Sequence, residues 1–457
     1  MMARGKKKES ALTPEEKLAQ ALVPDWEQPY EVPKNWCWTR TGSIAEVASG
    51  GTPSSSVAEY YEGGTIPWIS PADLSGYNDI YISSGAKNIT ELGLEKSSAR
   101  LLPADTVCLS SRAPIGYVAI AQNPLCTNQG FKNFMPSTCY LPKYLYWYLK
   151  GNKELLESYA SGTTFLELSG SKATVVEIPL APLAEQQRIV DRIEYLFGKL
   201  DEAKEKARSV LDSFETRKAA IFHKAFTGEL TAKWRAEHGI SDDTWVGKPL
   251  ADFLQLITYG FTNPMPDADE GPWKITAKSV HDGYIDYEIS RKTTQEAFDN
   301  LLTDKSRPLV NDVLLTKDGS IGRVAVVDRP GICINQSVAL LRPTEAVRPE
   351  FLRDMLLSPQ HQRTMELQAG GTALKHIYIT RVDKMMVSVP SVIEQEEVCK
   401  IVKSLMTKEQ QAKEAAEVVL EKIDLLKKSI LARAFRSELG TNDPTEESAL
   451  ELLKSVL

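Results

Sequence analysis

The sequence predicts an α+β protein, with two similar α/β domains separated by two long antiparallel coiled-coil helices and a pseudo-two-fold internal repeat. Three observations predict this fold. Short segments recur in the same order in both halves of the chain. Two long stretches are nearly free of helix breakers and carry a heptad pattern. The remainder of each half is rich in Gly, Pro, Ser and Thr and contains short alternating runs that are typical of strands.

The internal repeat is clearest where "IFHKAFTGEL", starting at Ile221, is matched by "ILARAFRSEL", starting at Ile430, which is 209 positions later. Just before these segments, "PLAPLAEQQRIV" aligns with "VPSVIEQEEVCKIV" and sets Glu185 against Glu394. Four further pairs follow in the same order, at offsets of 205 to 209: "SGTTFLELS" with "AGGTALKHI", "PIGYVAIA" with "SIGRVAVV", "CTNQG" with "CINQS", and "IPWIS" with "GPWKI". A run of ordered matches at a nearly constant offset indicates an internal duplication.

The repeat and the change in composition divide the chain into six segments. We expect an N-terminal tail with a short helix (1–24), a first α/β domain (25–182), a first spacer helix (183–232), a second α/β domain (245–390), a second spacer helix (391–440) and a C-terminal tail with a short helix (441–457). From 184 to 226 the only breaker is Gly198, and from 391 to 439 there is neither Gly nor Pro.

Both long stretches carry apolar residues at alternating spacings of four and three. The main seam positions are Ile189, Ile193, Leu196, Leu200, Val210, Phe214 and Ile221 in the first stretch, and Val398, Val402, Leu405, Val419, Ile423, Leu426 and Ile430 in the second. Arg217 interrupts the first seam and Glu409 interrupts the second. Such spacing over four heptads predicts a coiled coil, and about 40 helical residues span about 60 Å. Because a domain lies between them in sequence, we expect the helices to pair antiparallel and to carry one domain at each end.

The two tails carry helix-start signals. Thr13, Pro14 and Glu16 are placed as N-cap, N1 and N3 of a helix, and Asp443, Pro444 and Glu446 have the same spacing near the C-terminus. We expect two short amphipathic helices that pack near one another.

Composition excludes several classes of protein. The net charge is −7, and residues 25–182 and 245–390 hold 11 and 17 basic residues against 15 and 18 acidic ones, so neither domain is a polybasic nucleic-acid binder. The six cysteines form no CxxC pair and do not lie near histidine at metal-ligand spacing, so we expect buried thiols and no metal site. No apolar run is long enough to cross a membrane, and the basic N-terminus lacks the apolar core of a signal peptide, so we expect a cytoplasmic protein without membrane contact.

The sequence offers no catalytic motif. It contains no GxxxxGK[ST], no HExxH, no GxSxG, no Rossmann glycine set and no NPP[YF] tetrapeptide of an amino-methyltransferase. The five histidines are scattered. We therefore expect that the chain has no catalytic residues of its own.

Taken together, these features resemble one family, the specificity subunit of type I restriction–modification enzymes. The resemblance rests on "PLAEQQRIV" and "KAFTGELTAKWR" at the two ends of the first long helix, on "VIEQEEVCKIV" and "RAFRSEL" in the second half, and on "ASGGTPSSS" and "IPWIS" in the first domain. It covers nearly the whole chain. Two departures affect the second helix, where "RSEL" replaces "TGEL" and "EQEE" replaces "EQQR".

The resemblance implies a function in DNA recognition. In that family each α/β domain is a target-recognition domain for double-stranded DNA, and the helices are a spacer of fixed length. The subunit is non-catalytic and binds no cofactor itself. It docks two methyltransferase subunits, which use S-adenosylmethionine to methylate adenine at N6, and restriction subunits that use ATP and Mg²⁺. Because the two domains differ in sequence, we expect a bipartite, asymmetric DNA target, and we expect whole-heptad changes in rod length to alter its spacing alone.

Residues able to contact DNA are polar or basic side chains at positions predicted to be loops. In the first domain the candidates are Thr52, Ser54, Ser70, Arg112, Asn128, Gln129, Lys132, Thr163 and Lys172. In the second domain they are Thr262, Lys274, Lys278, Lys317, Arg323, Gln336, Thr372, Lys375, His376 and Arg381.

Residues that both halves share cannot explain a difference in specificity. Asn128 and Asn335, with the glutamines that follow them, therefore have an alternative interpretation as turn residues. Differences at equivalent positions are better specificity candidates: Tyr117 against Arg323, Glu167 against His376, and Arg112 against Asp318 or its neighbours.

Two further interpretations stay open at the level of sequence. The aromatic run "LPKYLYWYLK" is compatible with base stacking, although a buried helix is favoured because its counterpart "RPEFLRDMLL" is also amphipathic. The main alternative for the whole chain is a pseudo-dimeric coiled-coil scaffold that does not bind DNA, which the absence of a basic patch favours slightly. A methyltransferase fused to a recognition domain is disfavoured by the missing cofactor motifs.

Overall fold

The computed structural model describes residues 12–162, 166–370 and 375–457. The chain divides into two compact units, each considered by itself. Unit 1 contains the residues up to 205 together with 419–457, and unit 2 contains residues 206–418.

The described residues form helices and strands throughout both units. The helices are α1 (Pro14–Ala21), α2 (Thr41–Ile44), α3 (Glu91–Glu95), α4 (Pro142–Gly151), α5 (Lys153–Tyr159), α6 (Gly170–Ala173), α7 (Leu183–Asp212), α8 (Phe214–Phe226), α9 (Ala232–His238), α10 (Gln295–Leu301), α11 (Pro349–Leu356), α12 (Pro359–Gln368), α13 (Ile379–Val382), α14 (Val392–Ala434) and α15 (Ala449–Lys454). The mixed helix and strand class predicted from the sequence is confirmed.

The strands are short and fall into matching sets. Unit 1 contains β1 (Cys37–Arg40), β2 (Val47–Ser49), β3 (Ile66–Ile69), β4 (Tyr81–Ile82), β5 (Lys87–Ile89), β6 (Val107–Ser111), β7 (Ile115–Ala121), β8 (Cys126–Thr127), β9 (Phe131–Phe134) and β10 (Glu177–Leu180). Unit 2 contains β11 (Val246–Pro249), β12 (Leu254–Tyr259), β13 (Ala268–Ile275), β14 (Arg291–Lys292), β15 (Val313–Thr316), β16 (Val324–Val326), β17 (Ile332–Ile334), β18 (Val338–Pro343) and β19 (Met386–Val389).

The two units have the same sheet topology. In unit 1 a sheet of order β2-β9-β6-β7-β4 lies beside a sheet of order β5-β3-β8 and the pair β1-β10. In unit 2 the corresponding sheets are β12-β18-β15-β16, β14-β13-β17 and β11-β19, so that, among the strands of the described residues, β4 alone lacks a counterpart. Even the one parallel pairing of the three-stranded sheet is repeated, between β3 and β8 and between β13 and β17. The duplication seen in the sequence is therefore a duplication of fold.

Each long helical stretch contributes to both cores. The start of α7 places Ile189 and Ile193 in the core of unit 1, and the start of α14 places Val398 and Val402 in the core of unit 2. At the other ends, Phe435 lies against Tyr144 and Tyr148 of α4, with ring centroids 5.1 and 5.0 Å apart. The equivalent Phe226 lies 5.3 Å from Phe351 of α11. The phenylalanine of the repeated "AF" dipeptide thus packs against aromatic core residues in each unit.

The aromatic run of α4 is part of the core. Tyr144, Tyr146, Trp147 and Tyr148 are all buried. This confirms the buried-helix interpretation and removes these rings as a surface for stacking bases.

The repeated Glu185 and Glu394 hold equivalent buried networks. Both side chains are fully buried. In unit 1, Glu185 accepts hydrogen bonds from Trp36 Nε1 and Asn442 Nδ2, both at 2.7 Å. Burial raises the pKa of Glu185, and these hydrogen bonds oppose the rise.

In unit 2, Glu394 accepts hydrogen bonds from Trp245 Nε1 at 3.0 Å and Thr231 Oγ1 at 2.6 Å. It also pairs with the nearly buried Arg235, whose Nη1 lies 2.6 Å away. Equivalent carboxylates thus receive donors from equivalent segments, which follow α14 in unit 1 and α8 in unit 2. Of these two segments, the one in unit 2 also supplies a buried cation, Arg235.

The first long helix is interrupted, which the sequence did not predict. It breaks at Ser213, between α7 and α8, whereas Gly198 lies within α7. Ser213 Oγ lies 3.5 Å from the Val210 carbonyl oxygen, and Arg217 Nη2 donates to the same carbonyl at 3.1 Å. The Val210 carbonyl, which lacks a backbone donor in the helix, is thus satisfied by side chains. For this reason the helix can end at Ser213, although serine is not a strong helix breaker. The second helix, α14, is uninterrupted.

Within each unit the two long stretches run in opposite directions. In unit 1, Asp201 Oδ1 lies 2.6 Å from Lys427 Nζ, and Arg188 forms an ion pair at 2.8 Å with Glu446, beyond the end of α14. In unit 2, Arg217 pairs with Glu409 at 2.8 Å, and Lys413 Nζ lies 5.0 Å from the ring centroid of Phe214. Seam residues near the cores are buried, whereas Val419 and Leu426 are 39% and 46% exposed.

One of the two predicted terminal caps is correct. Thr13 caps α1 in a complete capping box with Glu16, as expected. The prediction for Asp443 and Glu446 is wrong, because Asp443 holds a turn with Thr445, Glu446 pairs with Arg188, and α15 starts at Ala449 after its N-cap Ser448. The tails do pack together in unit 1, where Lys17 Nζ donates to the Leu457 carbonyl at 2.6 Å.

The predictions for thiols, metals and membranes can be compared with the described residues. All six cysteines are free, and four of them are buried. Among residues 12–162, 166–370 and 375–457, no group of histidines, cysteines and carboxylates has the arrangement of a metal site. No helix in these ranges combines the length and apolar character needed to cross a bilayer.

Candidate nucleic-acid interface

In unit 1 the end of the central strand β6 meets two antiparallel segments that are bridged at Ser161 and Glu167 and are termed the hairpin. Arg112 follows β6 and forms an isolated antiparallel bridge with Glu167, which also bridges Ser161. The backbone of Leu168 donates to the Ser111 carbonyl at 2.9 Å. The Arg112 and Glu167 side chains form an ion pair at 3.7 Å and are 37% and 44% exposed. This corner therefore presents a half-exposed ion pair on a fixed backbone.

Unit 2 has the same corner at the end of β15. Asp318 bridges His376, which also bridges Gly370, and Ile377 donates to the Lys317 carbonyl at 2.9 Å. His376 Nδ1 contacts Asp318 Oδ1, and Lys317 Nζ lies 3.0 Å from Asp318 Oδ2. The two pairs of equivalent positions that the sequence offered as specificity candidates, Arg112 with Asp318 and Glu167 with His376, thus meet as neighbours in both units.

The carboxylate and the nitrogen-bearing side chain exchange places between the units. In unit 1 the cation stands at the strand end and the carboxylate on the hairpin, whereas in unit 2 the carboxylate stands at the strand end and the imidazole on the hairpin. The backbone frame is conserved by the duplication and the side chains are not. Such a position can present different hydrogen-bonding groups to two ligands of the same overall shape.

A buried lysine lies beside each pair. Lys132 of β9 is 5% exposed, and its pKa is lowered chiefly by burial, with Glu167 opposing and Arg112 adding to the effect. Lys317 is 7% exposed and lies 5.1 Å from the Tyr259 ring centroid. Both were predicted as DNA contacts from sequence. Their burial places them behind the surface, where Lys317 forms an ion pair with Asp318.

A cleft of about 910 Å³ opens in unit 2 next to Asp318. It brings together three residues predicted from sequence, Lys274, Lys278 and Arg323, with Asp318 itself. Other polar lining residues are Asp267, Thr276, Ser279, Ser290, Arg291, Ser320, Asn335 and Ser337. A concave surface with several donors and few apolar walls is suited to a polar, charged ligand such as the edge of a nucleic acid.

Two residues of this cleft were missed by sequence reasoning. Asp267 contacts Lys274 Nζ through a short ion pair and Arg291 Nη1 at 2.9 Å. The hydrogen bond from Lys274 is the main reason that the pKa of Asp267 is lowered. Arg291 is the first residue of β14, and no sequence motif marked it as a candidate. Lys274 is therefore held by a carboxylate and by the carbonyl of Met265 at 3.3 Å.

In unit 1 the equivalent surface contains Thr52, which is exposed and donates to Gln129 Oε1. Ser54 lies beside it and shares a hydrogen bond with Ser56 at 2.8 Å. Thr52 also lines a cleft of about 570 Å³ together with Tyr61, Trp68, Lys87 and Asn88, none of which was predicted as a contact from the sequence.

Several predicted contacts hold local structure. Asn128 Oδ1 accepts from the Gly130 backbone at 2.8 Å, and Asn335 Oδ1 accepts from Ser337 Oγ at 2.6 Å, which agrees with their interpretation as turn residues. Ser70 Oγ donates to Asp73 at 2.8 Å at the start of a short helical turn.

The remaining candidates are spread over the surface. Thr262, Lys278, Gln336, Lys375, Arg381 and Lys172 are exposed. Arg381 donates to the Gln368 carbonyl at 2.5 Å and lies 5.9 Å from the Tyr378 ring centroid. Thr163 and Thr372 fall outside the described residues.

Comparison with known proteins gives a consistent result. The type I restriction modification DNA specificity domain matches the chain twice, over residues 33–210 and 244–419, one match in each half of the repeat. The MjaIX specificity subunit of the archaeon Methanocaldococcus jannaschii is 47% identical over 184 residues, which are 40% of this chain and 42% of that protein. The EcoBI specificity subunit of Escherichia coli is 27% identical over 316 residues, 66% of each chain. The chain thus spans 42% and 66% of the length of these two relatives.

Solved structures show the same fold. The HsdS subunit from Thermoanaerobacter tengcongensis superposes with a TM-score of 0.64, covering 90% of this chain and 99% of that one at 17% identity. A chain from a type I R-M system, studied for complex assembly and conformational transition, gives a TM-score of 0.58 over 90% of this chain and 100% of that one, at 18% identity. At this level of identity the similarity concerns the fold.

Proposed function

The chain belongs to the family defined by the type I restriction modification DNA specificity domain, and from this membership we propose that it is the DNA-reading subunit of a type I restriction–modification system. Each unit reads one half of a bipartite, asymmetric DNA site. The chain itself carries out no chemical step.

One observation supports this proposal most directly: the two units share a backbone fold but carry different side chains at equivalent positions. Both units share the sheet topology, the strand-end corner and the buried Glu185 or Glu394. At the corner and in the cleft the equivalent residues differ in charge, as in Arg112 against Asp318 and Tyr117 against Arg323. Two readers that approach DNA in the same manner but present different groups would recognise two different half-sites.

The long helices have the properties of a spacer. Their opposite direction within each unit and the heptad spacing of their apolar residues support an antiparallel coiled coil. Such a coil would fix the number of unread base pairs between the half-sites, because its length is set by the number of residues at about 1.5 Å each.

The partners follow from the family. Two methyltransferase subunits would use S-adenosylmethionine to methylate one adenine in each half-site, and restriction subunits would use ATP and Mg²⁺. The helix surfaces and the two tails are the proposed docking face for the methyltransferase. No cofactor is assigned to this chain.

Adenine methylation provides the direct test. The genome of cells that carry the gene and its methyltransferase partner is sequenced by single-molecule methods that detect N6-methyladenine, and the same is done after deletion of the gene. We expect a bipartite motif with two unlike halves to lose its methylation on deletion. Retained methylation, with the methyltransferase shown to be expressed, would contradict the proposal and favour a protein scaffold.

A matched pair of variants refines the test. Lys172→Gln changes an exposed residue of unit 1 and Lys278→Gln changes an exposed residue of unit 2. If each unit reads its own half-site, each variant should weaken methylation of the wild-type bipartite motif and should not produce a different motif. A change in both halves from a single-unit variant would speak against independent readers.

A further inference from the structure

We propose that Arg112 and His376 are the base-contacting side chains at one shared reading position of the two units, and that Glu167 and Asp318 are positioning residues that aim them. This inference rests on the proposed function. Beyond that function, it identifies the side chains that select the base at one position of each half-site, and the bases that they select.

The shared position is defined by the backbone. The carbonyl of Ser111 accepts from Leu168 and the carbonyl of Lys317 accepts from Ile377, both at 2.9 Å. A strand end tied to a hairpin in this way is held by the sheet behind it, so the Cα positions of the corner have little freedom. Because these ties are the same in both units, we assign the difference in what the two corners bind to their side chains.

In unit 1 the guanidinium of Arg112 is available to a ligand. It lies 3.7 Å from Glu167 Oε2, which is close enough for attraction but outside hydrogen-bond distance. Within the described residues its N–H groups donate no hydrogen bond. A guanidinium offers its donors in a planar fork that fits O6 and N7 of guanine in the major groove. Unit 1 therefore reads a guanine at this position, with Glu167 limiting the orientations of the fork.

In unit 2 the carboxylate at the strand end is already occupied. Asp318 Oδ1 accepts from His376 Nδ1, and Asp318 Oδ2 accepts from Lys317 Nζ at 3.0 Å. Tyr378 packs edge-on against the imidazole, with ring centroids 4.5 Å apart, and the His376 side chain is 31% exposed. The ring is thus fixed with Nε2 directed away from Asp318.

The hydrogen-bonding character of Nε2 follows from this arrangement. When the ring is neutral and Nδ1 carries the proton, Nε2 is an acceptor. Acceptors select the exocyclic amino groups of adenine or cytosine. With a neutral ring, unit 2 therefore reads an amino group where unit 1 reads a guanine, on the same backbone frame.

The test uses the full chain in complex with its methyltransferase subunits and a library of target sites in which each position is randomised in turn. Arg112→Gln is expected to reduce the preference for guanine at one position of one half-site by roughly 5- to 150-fold, leaving the other half-site unchanged. Arg112→Lys keeps the charge but not the fork, so it should lose the same preference. Arg100→Gln is the matched control, since Arg100 forms an exposed ion pair with Glu46 at 2.5 Å in the same unit.

A phosphate contact by Arg112 would give a different result. Arg112→Gln would then lower methylation of all sequences alike, and Arg112→Lys would restore it. That outcome overturns the assignment of Arg112.

For unit 2, His376→Gln is expected to change the base preference at one position of the other half-site, with His238→Gln on α9 as the control. If Asp318 positions the imidazole, Asp318→Ala alters the preference at that same position, and the double variant is no worse than His376→Gln alone. Losses that add, with an unaltered base preference, mean a structural role for Asp318 and overturn its assignment.

Failure of this inference is distinguishable from failure of the proposed function. A wild-type complex that methylates no bipartite motif contradicts the function itself. A wild-type motif that persists unchanged in Arg112→Gln and His376→Gln contradicts the inference and leaves the function standing.

Discussion

Arg217 and Glu409, the two polar residues that interrupt the apolar seams of the long helices, are paired with each other in unit 2. Arg217 Nε lies 2.8 Å from Glu409 Oε2, and Nη2 of the same arginine donates to the Val210 carbonyl at 3.1 Å. The equivalent positions in the repeat are Leu426 and Leu200. A seam paired antiparallel with a second copy of itself would therefore set each charge against a leucine, whereas the observed pairing joins the two charges.

Removal of one partner should be more costly than removal of both. Arg217→Leu leaves Glu409 without its cation and also frees the Val210 carbonyl, so we expect reduced stability around α8. Because the two side chains are 34% and 21% exposed, solvent screens the pair and the expected coupling is about 1 kcal/mol. Hydrogen exchange of peptides from α8 and from the facing part of α14 measures local stability in the wild type, the two single variants and the double variant. These four values form a double-mutant cycle.

The double variant Arg217→Leu/Glu409→Leu should restore stability, since apolar residues suit a seam. It should also form dimers more readily than the wild type in sedimentation experiments, because the penalty on self-pairing is gone. A double variant that stays monomeric and behaves like the wild type would show that the ion pair does not determine which of the long helices pair with each other.

The equivalent carboxylates Glu185 and Glu394 should respond differently to the same substitution. Glu185 is held by neutral donors of Trp36 and Asn442, so Glu185→Gln keeps most of the network. Glu394→Gln removes the buried partner of the nearly buried Arg235, which keeps only the exposed Asp242 at 2.8 Å, and should destabilise unit 2 by about 2–4 kcal/mol. Hydrogen exchange resolved by unit compares the two variants, and each unit is the internal control for the other. Equal effects would contradict the role of the buried cation.

The stability of unit 1 should depend on pH through Glu185. Burial raises its pKa, so the folded state holds the proton more tightly than the unfolded state does. The stability that this provides is complete below the ordinary carboxyl pKa of about 4.3 and is lost as the pH rises through the higher folded value. Since Gln does not titrate, the stability of the wild type relative to Glu185→Gln should fall from acid to neutral pH. Urea unfolding midpoints at several pH values measure this, and parallel pH profiles of the two proteins would exclude it.

The sequence predicts the repeated fold well because the duplication and the apolar periodicity are local signals. The buried α4 and the capping box at Thr13 follow from such signals. The break at Ser213 does not, because it depends on a carbonyl taken up by Arg217, a side chain of the next helix. The start of α15 was missed because Arg188, far away in sequence, binds Glu446 and removes it from a cap.

The candidate site shows the same limit. Comparison of the two halves identified Glu167 with His376 and Arg112 with Asp318, since charge differences at equivalent positions are visible in the sequence. That these residues are paired within each unit depends on the bridge between a strand end and a distant hairpin. Asp267 directly precedes β13 and Arg291 begins β14, and it is the pairing of these two strands that brings both residues to the cleft.

The length of the long helices should set the spacing of the DNA target. The pseudo-equivalent midpoint of the two helices lies between Arg208 and Ser209 in α7 and between Glu417 and Val418 in α14. Insertion of seven residues at both points preserves the heptad phase and adds about 10 Å, which corresponds to about three base pairs. We expect the methylated motif to keep both half-sites and to gain about three unread base pairs. The same insertion in α14 alone shifts one seam against the other and should abolish methylation. An unchanged gap in the doubly extended, folded protein would mean that the helices do not measure the distance between the half-sites.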